Sequence, residues 1–204
     1  MVSELQIERV TLPGDRIRNL YDSLSPIYDY LTRFENDTKK RALEMTRIRK
    51  DRAVLEVGFG TGRILLELVG RTGNESGVHG IDVSKKMIKR TKRLIHKSGL
   101  YDNVHTVLGD ARNLPYKNEM FDIVFNSHML DLIDTFDIPK VVLEFKRVLK
   151  PRGRLVLVNL TKGNSWNSNM RIYEWVYRRW PSLLGGCRPV LARSVMESVG
   201  FEDV

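Results

Sequence analysis

The sequence predicts an α/β protein in which a mainly parallel sheet carries helices on both faces. Three observations lead to this prediction. Short apolar runs alternate with longer segments whose apolar residues recur with the period of a helix. A glycine-rich loop follows the first of these runs. The chain has 204 residues, which suffices for one domain with a sizeable core.

The apolar runs predict five strands, and the periodic segments between and around them predict helices. The predicted strands are Ala53–Val57, Val78–Ile81, Val104–Leu108, Phe121–Phe125 and Leu155–Asn159. The predicted helices are Arg16–Phe34, Asp37–Arg49, Ile64–Val69, a basic helix that Ser84 caps, Ile138–Leu149, Asn167–Trp180 and Val190–Val199. Strands and helices that alternate in this order form βαβ units, which build a parallel sheet.

Two further predictions concern a turn and the C-terminal end of the sequence. Lys150–Gly153 contains proline and glycine and is predicted as a turn, and Gly200 is predicted to stop the last helix. Phe201–Val204 would open a sixth strand, which belongs to an antiparallel hairpin in sheets of this kind. Because a hairpin needs two strands and a turn, we expect it to be incomplete here.

The composition is that of a globular domain, with 42% hydrophobic and 29% charged residues. No apolar run is long enough to cross a membrane, and no signal peptide is recognisable, so we expect a cytoplasmic protein. Cys187 is the single cysteine, which excludes an internal disulfide and a metal cage made of cysteines. The four histidines are scattered without metal-ligand spacing, and no metal site is predicted.

The formal net charge of +9 leaves three interpretations open. Nucleic acid, an anionic membrane surface and a solvated basic exterior are each compatible with it. The densest cluster of basic residues lies within 85–97, where Met87, Ile88, Thr91, Leu94 and Ile95 share one helical face. This pattern indicates an amphipathic helix with its basic side in water.

The glycine-rich loop is the most informative motif. Glu56 is followed by three glycines at alternate positions, namely Gly58, Gly60 and Gly62. The dinucleotide fingerprint G-x-G-x-x-G would need a small residue at Arg63, which does not fit. Glycines let the chain turn sharply and approach a ligand, and the helix that follows offers free amides. An acid ahead of the glycines favours a ligand with a positive charge over a pyrophosphate.

Two more acids follow the next predicted strands. Asp82 comes after the second strand, where a carboxylate accepts hydrogen bonds from ribose hydroxyls. Asp110 comes after the third strand, where it is placed to meet an adenine amino group. Three acids at consecutive strand ends therefore favour a nucleoside with a cationic tail. The alternative, that Asp82 and Asp110 only cap a helix or a turn, stays open.

The sequence resembles the class I S-adenosylmethionine-dependent methyltransferases, which have a Rossmann-like fold. Within them it is similar to the ubiquinone/menaquinone-biosynthesis C-methyltransferases and the phospholipid N-methyltransferases. The likeness covers most of residues 20–203, and the motifs that carry it are Val54–Arg63, Gly80–Ser84, Gly109–Ala111, Leu114–Pro115, Phe121–Val124 and Glu144–Gly153. It implies one domain over 1–204, with a helical cap at 1–50, a cofactor-binding core at 51–160 and a substrate-side insert at 161–189.

The resemblance assigns the first group of residues to the tail and ribose of S-adenosylmethionine. Glu56 or the backbone beside it would orient the methionine amino group. Asp82 would bind the ribose hydroxyls, with Val83 beside it. The glycines that would pass beneath the cofactor are Gly58, Gly60 and Gly62.

The resemblance assigns a second group to the adenine and the sulfonium. Asp110 and Ala111 would hold the adenine, and Asn126 and Ser127 would lie beside the sulfonium. His128 follows directly and is a candidate general base, although a partly buried structural histidine is equally compatible with the sequence.

Two N-terminal tyrosines complete the candidate site. Tyr21 and Tyr28, in Tyr-Asp pairs, resemble the family's N-terminal helix and would close over the cofactor. They are seven residues apart, so they share one side of a predicted helix, and a role in the hydrophobic core is the alternative.

The predicted function is methyl transfer from S-adenosylmethionine to a small or lipid-like molecule, such as a quinone precursor or a phospholipid, by direct in-line displacement. The insert supports a lipid-like substrate because aromatic residues and arginines are mixed in it, including Trp166, Trp175 and Trp180. Peripheral membrane contact and a homodimer are compatible with the sequence. The alternatives are an RNA methyltransferase, suggested by the charge, and a non-catalytic cofactor-binding protein. Asn126–Met129 lacks the Asn/Asp-Pro-Pro-aromatic run of amino-methylating nucleic-acid enzymes, so nucleic acid is not expected as a partner.

Overall fold

A computed structural model describes residues 19, 36–73, 77–100, 103–160, 175–176, 179, 187–190 and 192–204. The predicted first helix, with Tyr21 and Tyr28, lies outside the described residues apart from residue 19. The same holds for the predicted helix Asn167–Trp180, of which only residues 175, 176 and 179 are described.

Five strands form one sheet in the order β3-β2-β1-β4-β5, and every neighbouring pair is parallel. The strands are β1 (Val54–Val57), β2 (Val78–Asp82), β3 (Val104–Leu108), β4 (Phe121–Ser127) and β5 (Leu149–Val158). The central strand β1 is buried along its whole length, because apolar layers cover both faces of a parallel sheet. The α/β class and the parallel sheet are therefore confirmed.

Helices lie on both faces of the sheet and connect β1 to β2, β2 to β3 and β4 to β5. They are α1 (Asn36–Met45), α2 (Arg63–Thr72), α3 (Lys85–Ser98), α4 (Ile138–Val148) and α5 (Ala192–Ser198). Apolar residues of α1, α2 and α3 pack on one face with Val54 and Phe125, whereas α4 packs on the other face with Leu55 and Val124. α5 packs on the outer side of α4 through Val195.

The ends of the helices follow local backbone chemistry. The Ser84 hydroxyl accepts a hydrogen bond from the Met87 amide at 3.1 Å, which confirms the predicted cap of α3. α1 ends earlier than Arg49, the predicted limit, because Arg47 has a φ of +47° and cannot continue a helix. Gly200, with a φ of +85°, follows the last helix as predicted.

Two sequence predictions are wrong in detail. Lys150–Gly153 is not a free turn but part of β5, where Arg152 has a φ of +61°. The register passes from Phe121↔Leu149 to Ile123↔Arg154, so the extra residues of β5 form an irregular bulge beside β4. Phe201–Val204 forms no strand, so the described sheet ends at β5 on this side and has no antiparallel member.

The described residues include no helix that is both long enough and apolar enough to cross a membrane.

Candidate active site

The carboxyl ends of the central strands bring the candidate residues together at one edge of the sheet. Val57 of β1 pairs with Ile81 of β2 on one side and with Asn126 of β4 on the other. The residues that follow these three positions are therefore neighbours in space. Ligands of open parallel sheets bind at this edge.

The glycine-rich loop leaves β1 through two glycines with left-handed backbone. The Gly58 amide donates to the Ile81 carbonyl at 2.8 Å and has a φ of +73°. A Cβ atom there would lie 2.7 Å from Cβ of Met129, so only glycine fits. Gly60 has a φ of +55°, yet a Cβ atom there would meet no described atom within 4 Å. The backbone at Gly60 therefore faces open space that a ligand can approach closely.

Gly62 joins the loop to α2. Its φ is +79°, and a Cβ atom there would lie 2.4 Å from Cγ2 of Thr91 on α3. The Thr91 hydroxyl donates to the Gly60 carbonyl at 3.0 Å. Thr91 therefore both fixes the loop and fills the space that any larger residue at position 62 would need.

Asp82 at the end of β2 supports the loop from the side. Its side chain accepts hydrogen bonds from the Gly60 amide at 2.9 Å and from the Ser84 amide at 2.8 Å. The carboxylate thus orders the turn into α3, as the capping alternative implied, and also holds the glycine-rich loop. Val83, the next residue, is 49% exposed although it is apolar.

Glu56 is almost fully buried beneath the loop, with 2% of its surface exposed. Burial raises the pKa of its carboxyl group well above the usual range, the charge of Asp82 raises it further, and Lys39 opposes the rise. Among the described residues, none donates a hydrogen bond to Oε2 of Glu56. A buried, uncompensated acceptor of this kind fits a ligand with a positively charged donor.

Asp110 is held by an arginine that the sequence reasoning missed. The Arg112 guanidinium donates to both carboxylate oxygens of Asp110, at 2.6 to 3.1 Å, and reaches Asp137 at the start of α4 at 2.8 Å. Arg112 holds the pKa of Asp110 below its usual range. A basic residue two positions after the acid was the only signal in the sequence. Ala111, between them, is buried.

The end of β4 lies beside the loop. It carries Asn126 and Ser127, and His128 follows directly. The Asn126 amide donates to the Val57 carbonyl at 2.8 Å and so ties the ends of β1 and β4. Oδ1 of Asn126 and Oγ of Ser127 are buried without a hydrogen-bond partner among the described residues. His128 has a φ of +58°, and its Nδ1 lies 2.9 Å from Oδ2 of Asp131. Asp131 is not among the candidate site residues that the sequence predicted.

The structure therefore brings Glu56, the three glycines, Asp82, Asn126, Ser127 and His128 to one edge of the sheet, with Asp110 and Ala111 after β3. Among the described residues, buried oxygens of Glu56, Asn126 and Ser127 have no hydrogen-bond partner, and no atom comes within 4 Å of a Cβ position at Gly60. The arrangement fits a nucleoside cofactor with a cationic tail. The described residues contain no cluster of histidine, cysteine and acidic side chains that could hold a metal ion.

Comparisons with known proteins identify methyltransferases as relatives of this chain. The family model described as a methyltransferase domain matches residues 54–153. The demethylmenaquinone methyltransferase of Thermotoga maritima is 31% identical over 172 residues, which cover 82% of this chain and 71% of the relative. The ubiquinone/menaquinone biosynthesis C-methyltransferase UbiE of Geobacter sulfurreducens is 26% identical over 188 residues. The matched region covers 90% of this chain and 72% of the relative. The chain spans about two thirds to three quarters of the length of such curated relatives.

Solved structures share the fold. A SAM dependent methyltransferase from Aquifex aeolicus is 24% identical, with a TM-score of 0.65 over 88% of this chain and 87% of that one. The [4+2]-cyclase SpnF is 22% identical, with a TM-score of 0.75 over 94% of this chain and 74% of that one. At these identities the likeness shows the fold alone.

The Thermotoga maritima relative is similar enough over enough of its length to show the family. The predictions of a methyltransferase and of S-adenosylmethionine as its cofactor are thereby confirmed. The relatives named here support neither the RNA methyltransferase nor the non-catalytic alternative. The chain belongs to the class I S-adenosylmethionine-dependent methyltransferases and is similar to the ubiquinone/menaquinone C-methyltransferases.

Proposed function

We propose that this chain transfers a methyl group from S-adenosylmethionine to a carbon atom of a small lipid-like molecule of the quinone-precursor type. The observation that carries the proposal is the buried Glu56 carboxyl group next to the glycine-rich loop. The acceptor class comes from the relatives, whose names describe quinone methyltransferases.

Each part of the proposed cofactor site has a physical reason. Glu56 offers the methionine ammonium its Oε2, which has no hydrogen-bond partner among the described residues. Gly60 leaves space for the cofactor to lie on the backbone. Asp82 is fixed by two amides in the position from which it would accept the ribose hydroxyls.

The adenine and the reacting end of the cofactor would lie on either side of the loop. The Asp110 carboxylate, fixed by Arg112, and the backbone of Ala111 would hold the adenine beside the exposed Val83. Asn126 and Ser127 would adjoin the sulfonium, because they end the strand that is paired with β1.

The chemistry requires alignment more than activation. S-adenosylmethionine supplies a methyl group on a positively charged sulfur, which is already a good leaving group. The protein has to place the acceptor carbon in line with that bond and exclude water. A carbon nucleophile must also lose a proton, and His128 lies at the same edge of the sheet to receive it.

A lipid-like acceptor makes peripheral membrane contact part of the same proposal. The exposed side of α3 is basic and the helix contains no acidic residue. Trp175 is 61% exposed. Lysines and arginines near an anionic lipid surface contribute about 1 kcal/mol each. Flotation with anionic and zwitterionic liposomes tests this contact, and light scattering after gel filtration tests whether the protein forms a homodimer.

The decisive experiment follows labelled methyl groups. The protein is incubated with S-adenosylmethionine labelled at the methyl group and a cell extract, which is then separated into lipid, small-molecule, RNA and protein fractions. Glu56→Ala and Asp82→Ala should abolish the transfer, whereas Glu44→Ala on the exposed side of α1 should not. We expect label in the lipid fraction. Label in RNA would show that the acceptor is RNA and not a lipid-like molecule. Label in no fraction would contradict the proposal.

A further inference from the structure

Asp131 is a buried carboxylate that the cofactor site does not use. It lies in a short 3-10 helix, Leu130–Leu132, directly after β4, and none of its surface is exposed. Its oxygens receive hydrogen bonds from Nδ2 of Asn159 at 2.8 Å and from the Leu160 amide at 3.2 Å. Nδ1 of His128 lies 2.9 Å from Oδ2. Two donors besides the histidine therefore hold the Asp131 side chain in place.

The contact determines which nitrogen of His128 carries the proton. A carboxylate only accepts hydrogen bonds, so Nδ1 has to donate. In the neutral imidazole the other nitrogen, Nε2, is then the basic one. Without the Asp131 carboxylate, the tautomer with its proton on Nδ1 would lose the hydrogen bond that favours it.

The backbone fixes the same histidine from a second direction. His128 has a φ of +58°, and its amide donates to the Val158 carbonyl of β5 at 2.7 Å. The next residue, Met129, packs over Gly58. The imidazole is therefore held at the carboxyl edge between β4 and β5, next to the loop assigned to the cofactor.

Asp131 also connects this edge to residues 188–190. The Arg188 amide donates to the Asp131 carbonyl at 3.3 Å, and the Val190 amide donates to the Leu160 carbonyl at 2.8 Å. The Arg188 guanidinium donates to the Ile133 carbonyl. Asp131 is thus at the junction of three segments around His128.

We propose that Asp131 is a positioning residue that holds His128 with its proton on Nδ1, so that Nε2 receives the proton of the methyl acceptor. The inference rests on the proposed function. The acceptor carbon forms the bond to the methyl carbon, and the electron pair of the broken sulfur–carbon bond stays on sulfur. The acceptor proton moves to Nε2, its bonding pair stays on the acceptor, and the imidazolium is stabilised by Asp131.

The test variant removes the charge of the residue 131 side chain and keeps its size. Asp131→Asn turns a pure acceptor into a group that can donate to Nδ1, which favours the proton on Nε2. We expect kcat to fall by about 10²- to 10⁴-fold, the contribution of a general base, while KM for S-adenosylmethionine changes less than twofold. Asp134→Asn is the matched control, because among the described residues that side chain accepts a bond only from the nearby Phe136 amide.

¹⁵N NMR of protein labelled at its histidines identifies the tautomer of His128 independently of any activity measurement. The wild type should show His128 protonated at Nδ1, and Asp131→Asn should shift the proton toward Nε2. His128→Gln should lose as much kcat as Asp131→Asn, and the double variant should lose no more.

Different results would overturn different claims. A wild type with the proton on Nε2, or an active Asp131→Asn variant with normal kcat, would refute the positioning role and leave the proposed function intact. A wild type without methyl transfer to any lipid would refute the proposed function and with it the base role. Because the tautomer is read in the wild type, the test also works if Asp131→Asn does not fold.

Discussion

Alanine at Gly62 and at Gly60 should separate the stability of the glycine-rich loop from its ligand-binding role. Both glycines have left-handed backbone, with φ of +79° and +55°. They differ in their surroundings, because a Cβ atom at position 62 would lie 2.4 Å from Cγ2 and 2.7 Å from Oγ1 of Thr91. At position 60 it would meet no described atom within 4 Å.

These distances set the expected magnitudes. A non-glycine residue in left-handed backbone costs about 1–2 kcal/mol, and this cost applies to both variants. Overpacking against the buried Thr91 adds about 1–3 kcal/mol at position 62 only. Gly62→Ala should therefore lower the free energy of unfolding by about 2–5 kcal/mol, and Gly60→Ala by about 1–2 kcal/mol.

Urea unfolding of the cofactor-free protein, followed by circular dichroism, measures both values. Thr91→Ala removes the two nearest atoms, so in the double variant Gly62→Ala should cost less than it does alone. Gly60→Ala should instead weaken binding of S-adenosylhomocysteine, because its methyl group would occupy the open space above the loop. Equal destabilisation by the two alanines, or no relief from Thr91→Ala, would refute this account of the loop.

Two further predictions concern parts of the fold away from the proposed site. Burial beside His105 lowers the pKa of His79 to about 4, so this side chain stays neutral in the folded state while the unfolded chain takes up a proton below about pH 6.5. Because solvent partly screens this half-buried ring, the free energy of unfolding should fall by roughly 1–2 kcal/mol between about pH 6.5 and 4, and urea titrations should show less of this loss in His79→Gln. The Arg147 guanidinium donates to the carbonyls of Leu114 and Tyr116 at 2.9 and 2.7 Å, so Arg147→Met should cost about 2 kcal/mol. Amide exchange in residues 114–118 should accelerate in that variant, and unchanged exchange would contradict the anchoring role.

The features that the sequence predicted correctly depend on local patterns. The five strands follow from apolar runs, and the cap at Ser84 follows from side-chain chemistry within one turn. The loop from Gly58 to Gly62 was recognisable because glycines at three alternate positions allow the left-handed turns that other residues rarely adopt. These signals need no knowledge of which residues meet across the fold.

The features that the sequence did not reveal depend on tertiary register. Asp131 meets Asn159 and Leu160, which lie 28 and 29 residues further along the chain, only because the ends of β4 and β5 are neighbours. Arg112 shares its guanidinium between Asp110 and Asp137, which belong to different loops. The bulge in β5 likewise arises from pairing with β4, whereas proline and glycine in Lys150–Gly153 locally indicate a turn.

The central claim is that Glu56 and Asp82 hold a cationic nucleoside cofactor at the carboxyl edge of the sheet. Calorimetric titration with S-adenosylhomocysteine tests it without any knowledge of the acceptor. Loss of a charged hydrogen bond costs about 1.5–3 kcal/mol, so Glu56→Gln and Asp82→Asn should each weaken binding by roughly 10- to 150-fold. Glu44→Gln, on the exposed side of α1, should bind like the wild type. Wild-type affinity in folded Glu56→Gln and Asp82→Asn proteins would contradict the account.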